Sequence, residues 1–271
     1  MATSSGYYAS FNGDILKINY VDPVFEAKSV LIPGLTTPMD VVVNGEQAYY
    51  FDIDGLTVSD GDAGRPLTLA DSGATRVNIT LQRSLAFGGY IPGVGIADVS
   101  EDLVGTKAAK STNAIVIEEN KIALAKMVAG GTESTNKTAS TKATIYDNVV
   151  DDIATFTKTN GHAPVAIIVS PATKALLQKS DAFTKGNAEF SVNQAVIGEV
   201  AGLAVVDGLA MPTGTEYIIT DGYGYLHPHA LVGLELFGNI PGRVKTVALQ
   251  GEWKYGSKVI KASRLLVKKS A

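Results

Sequence analysis

Residues Gly202–Tyr225, "GLAVVDGLAMPTGTEYIITDGYGY", decide the fold class. Two apolar runs, Leu203–Val206 and Tyr217–Ile219, flank a turn carrying Met211, Pro212 and Gly214. Asp207-Gly208 and Asp221-Gly222 are turn dipeptides, because Asp bonds its own backbone and Gly accepts positive φ. The stretch predicts two short strands. It holds no His, Cys, Lys or Arg, so a regular piece of sheet is built with little chemistry on it.

Upstream, "PVAIIVS" (164–170) predicts a buried strand. Ser170-Pro171 opens a helix, with the cap residue ahead of Pro at the first helical position. Before it, Ile145, Val149, Ile153 and Phe156 form the stripe of another helix, capped by Ser140 or Thr141 and ended by Gly161. "NAIVIEENKIALAKMVA" (113–129) predicts a longer helix that stops at Gly130-Gly131. Ile115, Ile122, Ala125 and Ala129 share its apolar face, with Val116, Ala123 and Met127 beside them. "FGGYIPGVG" (87–95) reads as a hinge. "TRVNITLQRSLAF" alternates Val77, Ile79 and Leu81 with Asn78, Thr80 and Gln82, a half-buried strand. Val41–Val43 and Ala48–Phe51 flank Asn44-Gly45, a hairpin signal. Between them "SDGDAGRPLTLADSG" (59–73) is loop chemistry, so 36–90 predicts a long β excursion. The first 35 residues predict an extended arm with a short strand near Ile15–Tyr20. Downstream, "RVKTVALQGEWKYGSKVIKASRLLVKK" predicts two or three strands with a Tyr255-Gly256 turn. No internal repeat is present. The order of elements is α+β and not a regular βαβ alternation.

The chain of 271 residues allows one large domain or two small ones. Apolar residues make up 45% and charged residues 18%, the latter below the usual share of about 25%. A surface so poor in charge points toward subunit contacts. With no cysteine, disulfides, thiolate catalysis and Cys-bound zinc are excluded. "MATSSGYYAS" lacks the basic and apolar regions of a signal peptide, and no apolar run approaches the ~20 residues of a membrane helix.

Chemistry is sparse. His227 and His229 are separated by Pro228, which makes joint chelation awkward, and no nearby acid completes a metal site; both are read as surface or capping histidines. His162 follows a helix-ending glycine and has no partner visible in the sequence. Asp52-Ile53-Asp54-Gly55 and Asp60-Gly61-Asp62 resemble pieces of calcium loops but lack the Gly and Glu spacing, so turns are the plainer reading. Gly93-Val94-Gly95 starts a dinucleotide fingerprint, yet Asp98 stands where its third glycine belongs. "STNK" (134–137) has the Ser-x-x-Lys spacing with no companion motif. Asn78-Ile79-Thr80 and Asn136-Lys137-Thr138 match a glycosylation sequon without a secretory signal. In the tail, Lys258, Lys261 and Lys268 alternate with apolar residues as on a strand with one exposed face. No cofactor or metal is expected.

Charge is unevenly spread. From Ser29 to Gly105 there are three bases, Arg65, Arg76 and Arg83, against ten acids, a net of −7. From Pro241 to Ala271 there are eight bases, including Arg243, Lys245 and Lys254, against Glu252, a net of +7. Such segments either contact each other, within a subunit or between neighbours, or form two solvated faces.

The layout resembles the major capsid proteins of tailed bacteriophages, the family with the Hong Kong ninety-seven fold. The resemblance rests on "IGEVAGLAVVDGLAMPTGTEYIITDG" (197–222), on "GHAPVAIIVSPATKALL" (161–177), and on the order of arm, hairpin excursion, long helix and terminal strands. It implies an N-terminal arm (1–35), an E-loop (36–90), a peripheral domain with a spine helix (91–135), an axial α/β domain (136–240), and peripheral strands (241–271). It further implies pentamers and hexamers of the chain in an icosahedral shell around packaged double-stranded DNA, held without sequence specificity. Scaffolding, portal and decoration proteins would be the partners, with assembly in the host bacterial cytoplasm and no membrane. The E-loop of such shells lies across a neighbour. The implied contact residues are Asp52, Asp54, Asp60, Asp62, Arg65, Arg76 and Arg83 against Arg243, Lys245 and Lys254. No Lys lies between Lys28 and Lys107, so the covalent crosslink of some members is not expected. The large cleavable scaffolding extension of some members is not seen in the sequence, which leaves a separate scaffold protein or prior cleavage open. A cellular nanocompartment shell of the same fold, enclosing a cargo enzyme, is the alternative; a tail or decoration protein and an enzyme rank below it.

Overall fold

The computed structural model describes residues 15–17, 28–39, 42–44, 47–53, 74–92, 101–180, 183–185, 195–237 and 246–270. Its centre is a seven-stranded mixed sheet. In spatial order the strands are β6 (Thr132–Glu133), β16 (Leu265–Lys269), β11 (Thr215–Thr220), β7 (Ala166–Val169), β10 (Leu203–Asp207), β9 (Val196–Val200) and β8 (Thr184–Lys185). The opening stretch supplies β10 and β11, but they do not form a hairpin: β7 lies between them, parallel to β10 and antiparallel to β11.

Both faces of this sheet are covered, and the sequence alternation sorts accordingly. Ile168, Val206, Ile218 and Val267 point to one side, where they meet Ala123, Leu124 and Met127 of helix α1 (Glu101–Gly130). Ile167, Val169, Val205, Tyr217 and Ile219 point to the other. There they meet Ile145, Val149 and Phe156 of α2 (Ile145–Asn160) and Leu177 of α3 (Pro171–Gln178). Burial on two faces explains why the central strands read as unbroken apolar runs.

Helix α2 ends as expected, with Gly161 at φ 77° donating its N–H to the Thr157 carbonyl. The residue ahead of its first turn is Thr144, which makes no side-chain cap bond; Thr141, one of the two expected caps, closes the preceding turn, its hydroxyl accepting the Thr144 N–H at 3.3 Å and its carbonyl the Ile145 N–H. Ser170 caps α3 as predicted, its hydroxyl accepting from the Thr173 N–H at 3.3 Å. The 30-residue α1 begins twelve residues before the expected start. Its buried face is also rotated: Thr112, Val116, Ala123 and Met127 are buried, whereas Ala125 and Ala129 are exposed. The cause is two polar residues in the stripe. Glu119 and Asn120 are buried with partners, and they mask the apolar period that sequence reading depends on.

A second sheet has the order β1 (Ile15–Lys17), β13 (His229–Phe237), β14 (Thr246–Tyr255) and β5 (Arg83–Pro92). β5 and β14 pair antiparallel over ten residues each, from Arg83 opposite Tyr255 to Pro92 opposite Thr246. The hinge expected at 87–95 is therefore strand through Pro92; 93–95 lie outside the described residues. Gly88 and Gly89 stand opposite Gln250 and Leu249 at ordinary strand positions, where nothing nearby requires a missing side chain.

The excursion forms a third sheet, a ribbon of β2 (Val42–Asn44), β3 (Gln47–Ile53) and β4 (Ala74–Thr80). Asn44 pairs with Gln47 and so belongs to β2, not to the turn expected at Asn44-Gly45; Gly45 lies outside the described residues. The strand predicted through residue 87 breaks after Thr80 because its halves join different sheets, β4 with β3 and β5 with β14. The alternation itself holds, since Ile79 and Leu81 are buried while Asn78, Thr80 and Gln82 are exposed. A short pair, β12 (Tyr225–Leu226) with β15 (Lys258–Val259), ties the sheets together.

Candidate functional site

Three buried polar clusters and one extended ribbon are the features that could carry function. The first cluster joins α1 to the second sheet. Trp253 donates its indole N–H to Glu119 Oε1 at 2.7 Å. His227 Nε2 is 3.4 Å and His229 Nδ1 3.6 Å from the same oxygen. His227 is buried, against the surface position expected for it, and stacks on Tyr255 with the rings 13° apart. Its Nδ1 faces the Tyr225 hydroxyl at 2.8 Å, which is also 3.0 Å from Ser257 Oγ. Burial pushes the Tyr225 hydroxyl upward, so it stays a protonated donor. His229 is exposed, as expected.

The second cluster centres on Asp152 of α2, which is buried. It accepts from Ser134 Oγ at 2.6 Å and from the Tyr217 hydroxyl at 2.8 Å. Burial first, then the Asp152 charge, pushes Tyr217 far above its ordinary value. Opposite Tyr217 in the sheet, Lys268 is buried and donates to the Asn136 carbonyl. Lys268 therefore does not share the exposed strand face expected for it; β16 is an interior strand. The Ser-x-x-Lys motif also dissolves, since Ser134 serves Asp152 while Lys137 pairs with Glu133.

The third cluster supplies the partner that His162 lacked in the sequence. Its Nε2 lies 2.7 Å from Asp221 Oδ2, and its Nδ1 lies 2.9 Å from the Asn160 carbonyl. Arg264 Nε is 3.5 Å from the same Asp221 oxygen. Each cluster joins elements distant in sequence. Among the described residues no group of three or more His, Cys, Asp or Glu side chains is arranged to hold a metal ion. No described helix is long and apolar enough to cross a membrane.

Of the residues expected to make subunit contacts, the structure describes four. Asp52 lies in β3 opposite Thr75. Arg76 is exposed, its guanidinium 4.5 Å from the centre of the Tyr49 ring. Arg83 is exposed at the start of β5, and Lys254 is half-buried opposite Ser84. Asp54, Asp60, Asp62, Arg65, Arg243 and Lys245 lie outside the described residues. Part of the basic tail is committed within the chain. Besides Lys268, Lys269 pairs with Glu133 at 2.7 Å and Arg264 with Asp221. Sequence reading missed Glu119, Asp152 and Asp221 as organising acids. Their partners stand 134, 65 and 59 residues away, for Trp253, Tyr217 and His162 respectively, and no local spacing signals them.

No family sequence model and no curated relative matches the chain. Solved structures do. One from Mycobacterium phage Che8 is 14% identical with a TM-score of 0.58, covering 96% of this chain and 98% of its own. The mature capsid of bacteriophage PhiM1 is likewise 14% identical with a TM-score of 0.58, covering 93% of this chain and 90% of its own. The capsid of cyanophage P-SCSP1u is 14% identical with a TM-score of 0.57, covering 100% of this chain and 97% of its own. The chain has the phage capsid fold.

Proposed function

We propose that this chain is a major capsid protein, a structural subunit whose copies build the icosahedral shell of a tailed phage or prophage. The observation that carries the reading is end-to-end likeness: the match to the PhiM1 mature capsid runs over 93% of this chain and 90% of that one. A shared domain grafted onto a different machine would leave long unmatched stretches on one side or the other. The distribution of polar groups agrees, since the buried acids Glu119, Asp152 and Asp221 are engaged by side chains of the same subunit.

In this reading residues 1–35 form the arm, 36–90 the E-loop, 91–135 with 241–271 the peripheral domain, and 136–240 the axial domain. Pentamers and hexamers close the shell, and packaged double-stranded DNA fills it without sequence-specific contacts. The ribbon reaches a neighbouring subunit, and weak rim contacts of about 0–1 kcal/mol each set register through their number. Negative-stain microscopy of the overexpressed chain tests this. Closed shells, tubes or ring-shaped capsomers are the expected result; monomers under every assembly condition would refute it. Nuclease-protected DNA inside purified particles separates the phage shell from a nanocompartment, whose lumen would hold a cargo protein.

A further inference from the structure

Two contacts of bare backbone draw three parts of the chain around one concavity. A Cβ at Gly130, the last residue of α1, would lie 2.6 Å from Val259 Cγ2, so the end of that helix presses directly on β15. The turn ahead of β15 presses in the same way on the root of the ribbon, where Gly256 meets Ile79 and the Thr80 carbonyl. Between these contacts lies a groove of about 330 Å3. That is the size of a small-molecule pocket, near the lower end of the usual range of about 300–1,000 Å3.

Arg83 of β5, Lys126 of α1 and Lys258 of β15 bring three positive charges to the groove, and no described lining residue is acidic. All three are exposed, and none has an ion-pair partner among the described residues. Their neighbours differ. Lys121 pairs with Glu118 on the same helix, and Arg264 and Lys269 of the same basic tail pair with Asp221 and Glu133. Elements packed together through their apolar sides thus hold like charges around one space. Such charges repel, and their fields add within a concavity. An anion that enters relieves the repulsion and gains charge-assisted contacts. Asn78 and Gln82 add neutral amides to the lining.

We propose that this groove binds a short linear polyphosphate, the chemistry of free tripolyphosphate or of the triphosphate of a nucleotide. A phosphate chain carries charge along its length to cations that come from three elements, whereas a single tetrahedral anion concentrates it at one point. A peptide with as many negative charges needs more volume than the groove has. A nucleic-acid duplex is too wide to enter and presents its phosphates from outside. The site lies within one subunit and goes beyond the shell reading. Occupancy ties α1, β15 and the ribbon root together, so the ligand stabilises the folded chain by mass action.

Calorimetric titration and thermal melting of the full-length chain with sodium tripolyphosphate test the proposal. Saturable binding with a raised Tm is expected. Affinity should fall about tenfold in Lys126→Gln and further when Lys258→Gln is added, while Lys126→Arg should retain it. Lys121→Gln, on the same helix but outside the groove, should bind as the wild type does. Removing one of several like charges relieves repulsion, so the Gln variants without ligand should melt no lower than the wild type. A lower Tm would show that the cations support the fold, and it overturns the proposal. So does binding that the substitutions leave unchanged. An equal response to sodium sulfate at matched ionic strength is salt screening and overturns it as well. Binding of a short DNA duplex that the same substitutions abolish, with none of tripolyphosphate, would place nucleic-acid phosphates at the groove and likewise overturn it. A nucleoside triphosphate that binds more tightly than tripolyphosphate identifies the nucleotide as the source of the chain; equal affinity identifies the bare chain as what is read.

Discussion

Single residues fix how the sheets are joined. A Cβ at Gly256 would sit 2.4 Å from Ile79 Cγ2 and 3.0 Å from the Thr80 carbonyl, so the β14–β15 turn presses its bare backbone against the ribbon root. Gly256→Ala must push the ribbon away or move the turn; a loss of about 1–3 kcal/mol is expected from such overpacking, read as a lower urea midpoint. An unchanged midpoint would mean that the ribbon root is not held there. At the far edge of the main sheet, Lys137 and Lys269 hold the Glu133 carboxyl down to about 2 from an ordinary 4.5. A carboxyl depressed on folding contributes stability above its unfolded value and loses it as pH falls through its folded one. Glu133→Gln should therefore flatten the decline in stability between about pH 4.5 and about 2, and added salt should shrink the difference because the group is exposed. Parallel pH profiles for the two proteins would refute the assignment. These residues also mark where sequence reading ends. Asp-Gly and Ser-Pro announce themselves through local backbone chemistry, whereas Glu119 shows nothing of Trp253 until the fold brings them together.

Among the elements, β7, β10 and β11 were legible because β-branched runs sit between turn residues and both faces are covered. What the runs could not reveal was their order, since strand adjacency in a mixed sheet is set by crossovers and not by neighbouring sequence. The opposite failure occurs in β5. Its two glycines suggested a hinge, but pairing with β14 along the whole strand overrides the local preference. This makes a discriminating measurement possible at Gly89, where a Cβ meets nothing within 4 Å. In a strand, Gly89→Ala should leave stability unchanged or raise it by up to about 1 kcal/mol, because glycine loses more backbone freedom on folding. Thermal melting reads the difference, and a marked fall would restore the hinge.

At the level of the whole molecule, the described ribbon meets the rest of the subunit at its root, where Ile79 is buried against the β14–β15 turn. Among the described residues of 47–80, none belongs to the two apolar clusters flanking the main sheet. The ribbon nevertheless keeps seven-residue pairing between β3 and β4, an ordered structure without a large core of its own. In the shell proposed above, the work of this element is done outside the subunit. Ile53 and Ala74 pair directly, so an Asn-Gly turn can join them and replace residues 54–73 without changing the register. The shortened chain should melt at the wild-type temperature within a few degrees, because every described pairing of β3 with β4 is kept. It should also fail to form shells or tubes at concentrations where the full chain does, as seen by sedimentation and microscopy. Loss of folding would show that the excised segment supports its own subunit, and normal particles would show that the ribbon's reach is not what joins one copy to the next.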